Sequence, residues 1–259
     1  MRKPPPSFTD LDFLLHRAAT LLLRGKRALD SLFFPRTCPG CAVALPYPDC
    51  ICRQCSDALP RIRAPFCRRC GAPFPDFWRV TVCAECRMAR PPLTRLRSCF
   101  LYEGLVRQMI REAKYRHAAR MLRYFSGELY VRARSEFPAR VRAIVPVPLH
   151  HEREWTRTYN QSFLMAHDLS LWWNRPLWTG LRRVRRTPPQ SGLSGLARRR
   201  NLKNAFAVTG PAPRSVLLVD DVVTTGATLE ACARMLRSAG ARRVYAITIA
   251  RAVKVRSPA

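Results

Sequence analysis

Acidic residues are scarce in this chain. Seventeen Asp and Glu stand against 46 Lys and Arg in 259 residues, a formal net charge of +29. A surface so short of carboxylates should attract polyanions. Lysine is scarce too, since 41 of the 46 basic residues are arginine, a bias that also fits a GC-rich genome. Its distribution says more than its total: residues 182–203 hold Arg182, Arg183, Arg185, Arg186, Arg198, Arg199, Arg200 and Lys203 without one acid. Long hydrophobic runs are missing as well. No uninterrupted apolar span reaches the roughly 18 residues that a membrane helix needs, and no small-residue cleavage pattern follows a clean apolar core. The expectation is a soluble, cytoplasmic protein without stable membrane insertion. Residues 8–34 carry a helical apolar stripe that ends at Pro35 and is broken by charges. It reads as an amphipathic docking helix spanning 1–35, with a membrane-surface helix as the alternative.

Between about Arg36 and Ala89 apolar runs are short and Pro, Arg and Cys abundant, so this segment cannot bury a core unaided. What it has instead is cysteine. Four Cys-x-x-Cys pairs occur among the chain's 11 cysteines: Cys38/Cys41, Cys52/Cys55, Cys67/Cys70 and Cys83/Cys86. A pair of thiolates on a tight knuckle turn grips one zinc ion, and zinc takes four tetrahedral ligands. The simplest arrangement is two structural zinc sites, one from the first two pairs and one from the last two. Spacing also permits an interleaved pairing, and disulfides are the rival chemistry, which a reducing compartment disfavours. Each four-thiolate zinc carries a net charge of −2, so two would lower the +29 to about +25. Cys50 reads as a bystander, Cys99 and Cys232 as core thiols. The reading is a double zinc ribbon over 36–90, a hinge at Pro91-Pro92, and a second module over 95–259.

In that second module helical and strand patterns alternate. Helices are expected from Tyr102-Glu103-Gly104 to Lys114, over about Ala119–Ser135 and over Asn160–Trp173. Strands are expected over Val141–Val147, Val216–Val219 and Val244–Ile249, with residues 180–204 a long basic loop. Such alternation implies an α/β fold, a mainly parallel sheet with flanking helices.

Residues 216–228, Val-Leu-Leu-Val-Asp-Asp-Val-Val-Thr-Thr-Gly-Ala-Thr, concentrate the chemistry. An apolar strand ends at two carboxylates, a turn of small hydroxyl residues and glycine follows, and a helix opens at Thr228 or Leu229. Ligands of open α/β sheets bind at the carboxyl ends of strands, and the N–H groups of a helix start favour phosphate. Adjacent carboxylates after a strand can also simply cap a helix. The full pattern resembles the PRPP-binding motif of type I phosphoribosyltransferases, in which one end holds a phosphate and the other ribose hydroxyls and a divalent metal.

Taken together, the four Cys pairs, Tyr102-Glu103-Gly104, Lys114-Tyr115, Val145–Pro148, Arg157-Thr158-Tyr159-Asn160-Gln161, Gln190, Arg200-Asn201, Asn204-Ala205-Phe206 and the Asp220–Thr228 loop resemble the ComF family (ComFC/GntX-like). Thr158 departs from it, since the family pattern has Gly there. The resemblance covers about Phe33 to the C-terminus. It implies a double zinc ribbon before a type I phosphoribosyltransferase-like domain, and a bacterial role in DNA uptake during natural transformation. Asp220 and Asp221 would take the ribose hydroxyls, directly or through Mg2+, the hard cation that suits carboxylate and phosphate oxygens. Thr224, Thr225, Gly226, Ala227 and Thr228 would hold the 5′-phosphate. The turn Pro146-Val147-Pro148 would meet pyrophosphate, and Arg157, Arg182 and Arg183 would close over it as a lid.

Two functions of different class follow. One is a PRPP-dependent transferase with an unknown acceptor. The other is a non-catalytic single-stranded-DNA-binding competence factor that keeps the fold as scaffold or PRPP sensor and works beside a competence helicase or other DNA-processing protein.

Overall fold

The computed structural model describes residues 37–46, 49–77, 79–89, 91–115, 119–149, 159–185 and 204–253. Two compact units result, Met1–Asp57 and Ala58–Ala259. The expected helix of residues 8–34 lies outside the described residues. In the first unit the described chain is a knuckle around Cys38 and Cys41 followed by a short helix, α1 (Arg53–Asp57).

The second unit starts with the other two cysteine pairs, the latter opening helix α2 (Ala84–Ala89), and continues into the sheet. This division into units falls within the cysteine-rich segment 36–90. Hydrogen bonding explains this: the Leu96 N–H donates to the Arg69 carbonyl at 2.7 Å, and Arg237 Nε donates to the Pro92 carbonyl at 2.6 Å.

The sheet has four parallel strands, β1 (Arg95–Leu101), β2 (Ala143–Pro146), β5 (Ser215–Val223) and β6 (Arg243–Arg251), in the order β1-β6-β5-β2. Val216–Val219 are all fully buried, as an apolar run must be when both faces of a parallel sheet are covered. Helices α3 (Gly104–Tyr115), α4 (Ala119–Glu136), α5 (Gln161–Trp172) and α6 (Ala227–Ser238) complete the domain. Helix α4 packs on β1 and β6, α5 on β2 and β5, and α6 on β6. Cys232 is buried in α6 with Leu229 and Leu236, the face that their spacing predicts. Among the described residues no helix is long and apolar enough to cross a membrane.

Two features depart from the sequence reading. Strand β1 is not among the strands expected from sequence, because Arg95 and Arg97 alternate through it. Arg97 is only 4% exposed and is held by Glu136 of α4, Nε to Oε2 at 2.7 Å. Nor is 180–204 wholly loop: Leu181–Arg183 forms β3, paired antiparallel with β4 (Phe206–Val208). Leu181, Ala205 and Phe206 join the α6-side core, so apolar burial turns the ends of this stretch into a hairpin while residues 186–203 lie outside the described chain.

Candidate active site and metal centres

Strand β5 is central in the sheet and runs on through both carboxylates to Val223, four residues past its expected end. Asp220 pairs in register with Thr248 of β6. Its Oδ1 accepts from Ser162 Oγ of α5 at 3.0 Å and from the Asp221 N–H at 2.9 Å. Asp221 turns one oxygen to the Val222 N–H at 2.5 Å and the other to the ammonium of Lys114, which reaches over from α3. The pair is therefore electrostatically split. Burial, reinforced by the charge of Asp221, raises the Asp220 carboxyl from 3.8 to about 7, against the pull of its two hydrogen bonds and of Lys114. One carboxylate is balanced by a cation and its neighbour is poised to hold a proton at neutral pH.

The segment before α5 braces this arrangement. Asn160 caps the helix, its Oδ1 accepting from the Phe163 N–H at 3.2 Å, and its Nδ2 donates to the Val147 carbonyl at 3.3 Å. That bond ties α5 to the Pro146-Val147-Pro148 turn, whose Val147 N–H in turn reaches the Val219 carbonyl at 3.0 Å. Tyr159 donates its hydroxyl to the Ala113 carbonyl, one residue from Lys114. Sequence reasoning misses Ser162 and Lys114 as site residues. Lys114 reads there only as a helix-end residue and as part of Lys114-Tyr115, and nothing local marks either side chain as facing β5.

After Val223 the chain turns through Thr224 and Thr225 to Gly226, at φ +80°. An added Cβ there would meet nothing closer than 3.9 Å, so glycine is required by the backbone angle, not by crowding. Helix α6 then starts at Ala227, slightly earlier than expected, with Gly226 as an N-cap that has no side chain to offer. The Ala227 N–H contacts Thr225 Oγ1 at 3.4 Å. Thr224, Thr225, Gly226, Ala227 and Thr228 thus form one turn directly after the two carboxylates. Arg182 is exposed on β3, and Arg183 lies 5.6 Å from the Phe206 ring centre. Both are strand residues and not part of a loop. Arg157 lies outside the described residues.

The cysteines form two sets, Cys38, Cys41, Cys52 and Cys55, and Cys67, Cys70, Cys83 and Cys86, each with all four sulfurs within 4.8 Å of one another. First with second and third with fourth is therefore the pairing, and the interleaved arrangement is excluded. Tetrahedral zinc with bonds of about 2.3 Å places thiolates about 3.8 Å apart. Cys41 and Cys52 stand 3.7 Å apart, as do Cys70 and Cys83, so both sets fit zinc. Ala42 and Gly71 follow the two leading knuckles at equivalent positions with φ of 60° and 70°. At Gly71 a Cβ would also lie 2.7 Å from the Leu96 carbonyl. Three arginines, two of them buried, bond to the backbone of the second set. Arg69 donates to the Cys86 carbonyl at 2.9 Å, Arg97 to the Cys67 carbonyl at 3.4 Å, and the buried Arg251 to the Cys70 carbonyl. Cys50 is buried but belongs to neither set.

A double zinc ribbon domain matches residues 29–94 and a phosphoribosyl transferase domain residues 179–258. The chain is 33% identical to competence protein F of Haemophilus influenzae, over 76% of this chain and 90% of that protein. The chain belongs to the ComF family. Other ComF relatives include the DNA utilization protein YhgH of Escherichia coli K12, 35% identical over 75% of this chain and 87% of that protein, and competence protein ComFC of Bacillus subtilis, 27% identical over 78% and 84%. Among solved structures, orotate phosphoribosyltransferase from Aeropyrum pernix aligns with 52% of this ComF chain and 61% of its own, at 22% identity and a TM-score of 0.33.

Proposed function

We propose that this protein binds PRPP with Mg2+ at the carboxyl end of β5 and acts in DNA uptake, with transfer of the phosphoribosyl group to an acceptor as its reaction. The observation that carries the reading is the continuity of β5, the Asp220–Asp221 pair, the Gly226 turn and the glycine-capped start of α6. It puts anion-seeking backbone one turn from two carboxylates. Thr224 to Thr228 hold the 5′-phosphate. Asp220 and Asp221 hold the ribose hydroxyls, which can donate to carboxylate oxygens. Mg2+ would supply positive charge to the pyrophosphate and sit with oxygen ligands from this pair or from the sugar. Ser162 fixes the orientation of Asp220, and Lys114 balances Asp221 until the ligand arrives. The Pro146–Pro148 turn would meet the pyrophosphate, and Arg157, Arg182 and Arg183 would supply cations to it. Breaking the bond from the anomeric carbon to pyrophosphate leaves positive charge on the ribose, which the adjacent carboxylates stabilise by position and field.

A second reading is favoured by the charge of +29 and by relatives named for competence and DNA utilization. In it the protein binds single-stranded DNA beside a helicase or other DNA-processing partner, and PRPP is sensed but not consumed. Incubating the zinc-loaded protein with Mg2+ and PRPP, with and without single-stranded DNA and candidate acceptors, separates the two. Pyrophosphate release above the background rate supports the transferase. Binding without release supports the sensor.

A further inference from the structure

The second cysteine set carries a cleft that neither the zinc nor the Asp220–Thr228 loop uses. About 510 Å3 in volume, it is lined by Arg69, Arg79, Val80, Thr81, Val82 and Arg87. Three arginines and a threonine are among these lining residues, and no carboxylate is. Arg69 is engaged with the Cys86 carbonyl. Among the described residues, the guanidiniums of Arg79 and Arg87 have no hydrogen-bond or ion-pair partner. A comparable cleft at the amino ends of β1 and β6 also holds arginines, but Glu136 lines it.

Two apolar side chains close in sequence to the lining residues are exposed. Phe77, two residues before Arg79, is 79% accessible, and Met88, next to Arg87, is 87% accessible. Backbone hydrogen bonds tie the ribbon together nearby. The Arg68 N–H donates to the Thr81 carbonyl at 2.9 Å and the Cys67 N–H to the Ala72 carbonyl at 2.8 Å, around ligands that zinc would lock. Unpartnered guanidiniums, one of them two residues along the chain from a bare aromatic ring, match what an unpaired strand offers, phosphates for charge and base faces for stacking.

We infer that this face of the second zinc ribbon is a single-stranded nucleic-acid site, with phosphates in the Arg69–Arg79–Arg87 cleft and an unpaired base stacked on Phe77. The site goes beyond the PRPP reading and gives the nucleic-acid reading a surface away from residues 182–203. An acidic protein partner would use the cations but not require a base stacked on the ring.

Anisotropy of a labelled 20-nucleotide oligothymidylate, titrated with the full chain over a range of salt, tests this. Arg79→Ala/Arg87→Ala should weaken binding and lower the log–log salt slope by about 1.4, roughly 0.7 for each single-strand phosphate left without its guanidinium. Phe77→Ala should weaken binding about five-fold or more while leaving the slope alone, and should not alter binding of a duplex hairpin. Zinc content and melting temperature establish that each variant is folded. Should alanine disturb the ribbon, Arg79→Gln/Arg87→Gln is read the same way. Folded variants that keep wild-type affinity and slope overturn the site while nucleic-acid binding itself stands. Absence of any oligonucleotide binding by the wild type overturns both. Polyglutamate that competes as well as the oligonucleotide, with no dependence on Phe77, assigns the cleft to an acidic protein and overturns it too.

Discussion

Asp220→Asn should stabilise the unliganded protein, and by an amount that grows with pH. The wild-type carboxyl is raised from 3.8 to about 7, chiefly by burial. A carboxyl whose folded value is raised contributes stability that is complete below the unfolded value and lost as pH rises through the folded one. At about 1.36 kcal/mol for each unit of pKa, full ionisation costs the fold about 4 kcal/mol. Much of that is already lost at moderate acidity, so the increment between pH 5.5 and pH 8 is about 2 kcal/mol. Asparagine keeps an oxygen for the 3.0 Å bond from Ser162 and has no charge to desolvate. Urea unfolding of both proteins in Mg2+-free buffer, followed by tryptophan fluorescence across that range, gives the difference directly. Any fixed packing cost of the amide shifts the whole curve and cancels from the pH dependence. Parallel stability–pH curves for wild type and variant would refute the account of a half-buried, partly protonated Asp220.

Glu136→Ala should cost about 3–5 kcal/mol in the same assay, because it leaves the buried Arg97 guanidinium without its partner at 2.7 Å. Arg97→Met/Glu136→Met should recover most of the loss, since no unpaired charge then remains. Elemental analysis should find about two zinc ions per chain, and Cys70→Ser should remove one and destabilise the ribbon by several kcal/mol. A chelator should strip zinc in two phases, the Cys38–Cys55 site first. Cys41 is exposed there, and among the described residues no arginine side chain bonds to that set, whereas Arg69, Arg97 and Arg251 support the other. A single phase, or loss first from the Cys67–Cys86 site in Cys70→Ser comparisons, would count against that ordering.

Local patterns are legible in the sequence and long-range pairings are not. The eight ligand cysteines are close in sequence as well as in space, so spacing finds both sets, and geometry has only to choose the pairing. The motif of residues 216–228 is likewise one continuous strand, turn and helix. Strand β1 escapes because a sequence cannot show that Arg97 will meet Glu136 some 39 residues later and be buried with it. The β3–β4 hairpin escapes because its two short strands flank a long basic stretch, and Arg182 and Arg183 read as part of that stretch. Lys114 and Ser162 reach Asp221 and Asp220 from helices 107 and 58 residues upstream in sequence. Their role is visible only once α3 and α5 are seated against the end of β5.

Calorimetric titration of PRPP into the zinc-loaded chain, with and without Mg2+, tests the central claim most directly. The account predicts saturable binding that requires Mg2+ and weakens sharply in Asp220→Asn/Asp221→Asn, which keeps the shape of the site and removes its charge. No PRPP binding by folded, zinc-replete wild type would contradict it, and so would undiminished binding by the double variant.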